Sequence, residues 1–430
     1  MHTARWIHEL TTIVCAVAWL ASCEDAATPT QPHIAAGSAP APSVTVQDLG
    51  TLGAQLSFGL ALNARGEATG YSATAQGQFH WFLWDGSAMR DLGALPGAAN
   101  SYATDINARG EVAGWSLGST DYDCHPVLWD GTTLRDLGSL GRNPFTEGTC
   151  DEAIGHVLLN AQGDVAGVSG TPEGHRHAFF WDGTMHDLGT LGGAFSTIAA
   201  LNARGHVAGS STTASGATDA FLWDGATMRD LGTLGGTSSH AAALNDAGQV
   251  VGYSATASGD FHAFLWDGTT MRDLGTLGGS VSFATALNDA GQVAGYSATA
   301  SGDFHAFLWD GTTMRDLGAL GPTGSIATAV NNAGQVVGYS STASGYPHAF
   351  FWDGSTMLDL GTLGGTSSFA YAINGAGQVI GTSWTAPGVR HATMWTLLPA
   401  QGGRALASVT APAQTPSPAA AAPGPAFRAR

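Results

Sequence analysis

The chain has 430 residues, 61 of them Gly, with 11% charged residues and a net charge of −18. An average soluble protein carries roughly 25% charged residues, and all 15 basic residues here are Arg. The acid surplus argues against nucleic acid or an anionic lipid surface as partner, and 44% hydrophobic residues with 13 Trp argue against a disordered polyelectrolyte.

In chain order, Arg5 and the short apolar stretch 10–21 predict a signal peptide over residues 1–22, too short to span a bilayer. Leu20-Ala21-Ser22-Cys23 resembles the lipobox of bacterial lipoproteins. That resemblance implies a lipidated Cys23 as the only membrane contact, on an outer-membrane or cell-surface protein. The plainer alternative is an ordinary secretory signal and a secreted chain. Residues 23–43, rich in Ala, Pro and Thr, read as a tether, 44–399 as the folded body and 400–430 as a disordered Ala/Pro-rich tail. The mature body keeps two cysteines, Cys124 and Cys150, which in an oxidising compartment predict one disulfide.

Internal repetition dominates the body. Trp-Asp starts at Trp84, Trp129, Trp181, Trp223, Trp266, Trp309 and Trp352, with Trp395-Thr396 as an eighth copy. Asp-Leu-Gly and an Asn closing Leu/Ile/Val-Asn each recur eight times as well, from Asp48 to Asp359 and from Asn63 to Asn374. A period of about 43 residues lies in the range of propeller blades and solenoid units. Within one unit, 241–245, 249–254, 262–266 and 271–274 read as strands, with Asp-Ala-Gly and Asp-Gly as tight turns. The first marker is a lone fourth strand, 44–49, and the last unit stops after its third strand. The expected fold is therefore all-β: an eight-bladed β-propeller of four-stranded antiparallel blades, closed by the N-terminal strand. The predicted loops sort by length, with tight turns at one end of the strands and longer connections at the other. Cys124 and Cys150 both fall at the longer end.

His262-Ala263-Phe264-Leu265-Trp266-Asp267-Gly268, followed by Asp273-Leu274-Gly275-Thr276-Leu277-Gly278-Gly279, resembles the HAF family of bacterial extracellular repeats. The resemblance covers residues 48–396, with departures such as Asp219-Ala220-Phe221. It implies a surface or secreted repeat protein and carries no activity that transfers.

No catalytic constellation emerges. The repeated His and Asp suit turns and blade structure, since a metal needs three or four ligands together and catalysis needs one set of unlike groups. The expectation is a chain that is not an enzyme and has no cofactor, with calcium a weaker possibility because Asn245-Asp246-Ala247-Gly248 lacks the alternating oxygen ligands of a calcium loop. Aromatic residues of the longer-loop end, Phe79, Phe261, Phe304, Tyr346, Phe283 and Phe369, are the candidate ligand contacts. Packing between blades is the competing role for their rings. The partner expected is a surface glycan, matrix polymer or surface protein, bound by a monomeric module. The alternative is a secreted polysaccharide hydrolase or lyase, with the irregular segments 119–124 and 142–152 as the place to look.

Overall fold

The computed structural model describes residues 43–118, 124–141, 156–386, 388–398 and 409–410. The expected signal peptide, Cys23, Cys150 and nearly all of the tether and tail lie outside these residues. Cys124 is disulfide-bonded.

No helix occurs among the described residues. A representative unit comprises Gly235–Leu244, Val250–Thr256, Phe261–Trp266 and Met271–Asp273, hydrogen-bonded in chain order as one antiparallel sheet. The two middle strands carry the apolar residues that fill both faces, Val250 and Val251 opposite Trp266 and Leu265. Asp267 makes the outer hairpin: its Oδ1 accepts from the amides of Thr269 and Thr270 at 2.9 and 3.0 Å. Those bonds, with one from the Thr269 hydroxyl, hold its carboxyl well below the usual range. Gly268 takes the positive φ of 106° that this turn requires.

Successive sheets pack face to face. Val251, Ala263 and Leu265 of one unit meet Ala284, Val293, Phe307 and Trp309 of the next in a single buried cluster. The fourth strand seals this contact, because the Arg272 guanidinium lies 5.0 Å from the Trp309 ring centroid and donates to the Gly311 carbonyl. Arg229 and Arg315 repeat the arrangement on Trp266 and Trp352, which accounts for the linked recurrence of Arg-Asp and Trp-Asp. Antiparallel four-stranded sheets stacked face to face from repeat to repeat make this a β-propeller. The strand Ser43–Asp48 pairs antiparallel with Val389–Leu398 and is the fourth strand of the last sheet.

The loops differ from expectation. The first strand begins at Gly235, not Ala241, because Gly235-Gly-Thr-Ser-Ser is extended along the end of the second strand, with Gly235 opposite Thr256 and Ser239 opposite Ser254. Ser239 explains why: its Oγ donates to the Gly232 carbonyl at 2.6 Å and accepts from the Ala220 amide of the preceding unit at 2.9 Å. The connection between second and third strands is a short hairpin, closed by Thr256 and Asp260. Loop length therefore does not separate the two ends of the strands. Side-chain chemistry does.

Candidate functional site

At the end that carries the turn between first and second strands, Asn is the organising residue. Asn245 is buried. Its Oδ1 accepts from the amides of Ala247 and Gln249 at 3.1 and 2.9 Å, and its Nδ2 donates to Gln249 Oε1 and to the carbonyl of Asn288 in the next unit, at 2.8 and 3.2 Å. The same inter-repeat bond runs from Asn63 to Asn107, Asn160, Asn202, Asn245, Asn288, Asn331 and Asn374, and from Asn374 back to Asn63, at 3.0–3.3 Å. Beside this circuit opens a cavity of about 250 Å³, lined by Asn202, Asn245, Asn288, Asp246, Asp289 and Asn332 among others. The carboxylates of Asp246 and Asp289 are engaged by neighbouring turns: Ala203 N donates to Asp246 Oδ1 at 2.9 Å, and Asn332 Nδ2 to Asp289 Oδ2 at 2.9 Å.

The repeated His of the third strand pairs with the repeated Asp of Asp-Leu-Gly. His262 Nδ1 lies 2.8 Å from Asp273, and His80, His125, His177, His305, His348 and His391 make equivalent contacts at 2.8–3.0 Å with Asp91, Asp136, Asp187, Asp316, Asp359 and Asp48. His391–Asp48 joins the two ends of the folded chain. Asp359 bonded to His348 raises the imidazole pKa, and the same bond lowers that of Asp359 against the opposing effect of its burial. A raised His contributes stability below about 6.5, and a lowered Asp contributes above about 3.9. The pair is therefore at full strength between those values, weakening as pH rises through the folded His pKa or falls through the folded Asp pKa.

The fourth unit breaks the pattern. Asp219 stands where the others have His, eleven residues before Asp230 as His262 is before Asp273. Its Oδ1 is buried without a hydrogen-bond partner, and burial followed by repulsion from Asp230 raises its pKa. Asp219→His is expected to stabilise the protein by about 1 kcal/mol at pH 5.5, a charge-assisted bond discounted for solvent exposure. The gain should shrink at pH 8. Urea unfolding at both values checks it, and a variant equal to or weaker than the parent at pH 5.5 rules the pairing out as stabilising.

The opposite end gathers aromatic rings. Phe79, Phe261 and Phe304 open their third strands and Tyr346 immediately precedes one, whereas Phe283 and Phe369 lie inside first strands rather than in loops. Phe283 stacks on Tyr296 at 5.1 Å, and Tyr253 meets both Phe261 and Phe283 edge-on at 5.6 and 5.2 Å. A second group links Phe58, Tyr71, Phe79 and Tyr102, and a third Tyr339, Phe369 and Trp384. Burial pushes the Tyr253 hydroxyl up to about 12 and those of Tyr296 and Tyr339 upward, so these second-strand rings serve packing. Phe369 is also buried, at 7% exposure, whereas Phe304 at 39% and Tyr346 at 50% face solvent, joined by Phe195 at 43%. The sequence reading missed Trp384, Arg176 and Arg390. The signal was there: Arg390 and Arg176 occupy the position held by Phe79, Phe261 and Phe304 in other units.

No protein-family model matches the chain, and a search of curated proteins finds no match. Among solved structures, the chain is similar to the β-propeller domain of the Trilobed protease from Pyrococcus furiosus, at 12% identity and a TM-score of 0.47, covering 71% of this chain and 96% of that one. It is similar to a puromycin-hydrolyzing peptidase of Mycobacterium tuberculosis, at 15% identity and a TM-score of 0.46, covering 73% of this chain but only 54% of the peptidase. It is also similar to the BP39L lectin from Burkholderia pseudomallei, at 7% identity and a TM-score of 0.39, covering 75% of this chain and all of that one. These likenesses concern fold alone. They correct one expectation: the structures that share this arrangement include peptidases, so the reading of the chain as not an enzyme is withdrawn.

Proposed function

We propose that the chain is an exported, HAF-type surface protein, lipid-anchored through Cys23, whose eight repeats close into a ring. Its aromatic end binds extracellular glycan, in a matrix polymer or on a cell surface. The return bond from Asn374 to Asn63 and the pairing of Ser43–Asp48 with Val389–Leu398 support closure. The observation that carries the binding reading is the cluster of half-exposed rings shared between neighbouring repeats, since flat aromatic faces stack on the C–H faces of sugars and dominate interface hot spots. A glycan array probed with the full-length mature chain, with and without chelator, tests it. Saturable binding that falls at least tenfold in Phe304→Ala or Tyr346→Ala is expected. Binding indifferent to both variants removes the aromatic end from the reading, and loss with chelator brings calcium in.

A second reading, a polysaccharide hydrolase or lyase, rests on Asp105. Burial raises its carboxyl to about 6, against bonds from the Leu159 and Ile106 amides, and other units have Ala or Leu at its position before the marker Asn. A carboxyl poised near neutrality suits general acid or base work. Release of reducing ends on the same glycans, abolished in Asp105→Asn, would establish it.

A further inference from the structure

We infer that the seam between the last and first repeats, at the aromatic end, holds an acidic sugar unit, with the Arg390 guanidinium on its carboxylate. The inference rests on the reading of that end as a glycan surface and specifies what it takes. Arg390 is the second residue of Val389–Leu398, where its backbone pairs with Leu56 of the first repeat. Its guanidinium carbon lies 5.0 Å from the Phe58 ring centroid and 5.1 Å from that of Trp384, so one cation spans an aromatic ring from each side of the seam. Cation–π contact occupies the flat faces of a guanidinium and leaves the N–H donors along its edge, in the fork that matches a carboxylate.

Among the described residues Arg390 makes no ion pair and donates no side-chain hydrogen bond. Asp48, on the strand paired with Val389–Leu398, is taken by His391 at 2.8 Å. The hairpin beside it in the first repeat reads Ala75-Gln76-Gly77-Gln78, and Gly388-Val389 precedes it, so neither contributes an acid. The corresponding hairpins of the fifth and sixth repeats carry Asp260 and Asp303, which would repel an anion. In a chain of net charge −18, a cation set between half-buried rings with no carboxylate of its own is suited to an anion that also offers an apolar face. A uronic acid has both, a pyranose C–H face for Trp384 and a carboxylate for the guanidinium edge, while Phe58, stacked on Tyr71, backs the cation.

The test compares polygalacturonate with its fully methyl-esterified form, which keeps the ring and removes the charge, and with neutral dextran. The full-length mature chain is measured by calorimetry at 50 and 300 mM salt. Polygalacturonate is expected to bind at least tenfold tighter than the ester and to weaken with salt. Arg390→Ala should abolish that difference. Arg390→Lys keeps the charge but loses the planar fork, so it should retain only part of it; its near-ultraviolet circular dichroism reports on folding. Equal affinity for acid and ester, or an undiminished preference in a folded Arg390→Lys and Arg390→Ala, overturns the inference while leaving glycan binding at the aromatic end intact. Absence of binding to all three polymers and across the glycan array removes the glycan reading itself.

Discussion

Gly252→Ala should be among the most damaging single substitutions in this protein, at about 4 kcal/mol or more. Gly252 lies in a regular second strand, and no unusual φ requires a glycine there. What requires it is the approach of the neighbouring strand. A Cβ on Gly252 would collide with the carbonyl oxygen of His240 and lie 3.0 Å from the Cα of Ala241. These are backbone atoms of the first strand, at its bulge between Ala241 and Ala243, so they cannot swing aside as a side-chain terminus would. Relief would have to come from breaking the ladder, and losses of that size are confined to backbone clashes and core cavities. The collision recurs at Gly114, Gly209, Gly295, Gly338 and Gly381, which gives the repeated Val-x-Gly of the second strand its physical cause, and at Gly70, where Ala68 replaces the Val. Gly375→Ala is the control: it has no positive φ and a Cβ there meets nothing within 4 Å, so its cost should stay below about 0.5 kcal/mol. Urea unfolding of both variants decides the matter, and a Gly252→Ala protein within 1 kcal/mol of the parent would overturn the account.

The same strands show what the sequence could and could not reveal. The period, the third strand and the Asp-Gly hairpin were legible because each is a local signal, a run of apolar residues or a turn dipeptide. The first half of the first strand was not, because Gly-Gly-Thr-Ser-Ser has the composition of a loop; it is extended only because Ser239 reaches into the neighbouring unit. The pairing of His with Asp is not legible in the sequence, since the two stand on different strands. Asp273 lies across from Phe264, two residues along from His262, and such diagonal neighbours meet only once the register is known. The aromatic candidates divided for a similar reason. Whether Phe304 faces solvent or, like Phe369, fills a gap depends on the adjacent repeat, and no spacing within one repeat contains that fact. Arg390 shows the converse. It departs from the Phe consensus of its position, and in a repeat protein such departures mark where units differ in chemistry while sharing a frame.

Closure of the ring can be tested through the Asn circuit, by comparing Asn245→Ala with Asn374→Ala. The two residues make the same four bonds: Asn374 Oδ1 accepts from Ala376 and Gln378 amides at 3.0 Å each, and its Nδ2 donates to Gln378 Oε1 at 2.8 Å and to the Asn63 carbonyl at 3.0 Å. Truncating either leaves two part-buried amides and the buried carbonyl of the next repeat without partners, at about 1 kcal/mol each, so about 3 kcal/mol is expected per substitution. In a closed ring no repeat is terminal, and the two costs should agree within about 0.5 kcal/mol. In an open array the bond from Asn374 to a repeat 311 residues away would be absent, and its loss would be cheaper by the value of that link. A second readout separates local damage from loss of the seam. Deleting residues 43–48 removes the fourth strand of the last sheet and the Asp48 partner of His391, and in a closed ring Asn374→Ala should then cost less than in the intact chain, because the deletion has already loosened the junction it spans. Asn245→Ala, facing an interior junction, should cost the same in both backgrounds. Coupling confined to Asn374 is the signature of a ring held shut at this seam, and equal behaviour of the two residues in the deletion background would show that the seam carries no special share of the closure.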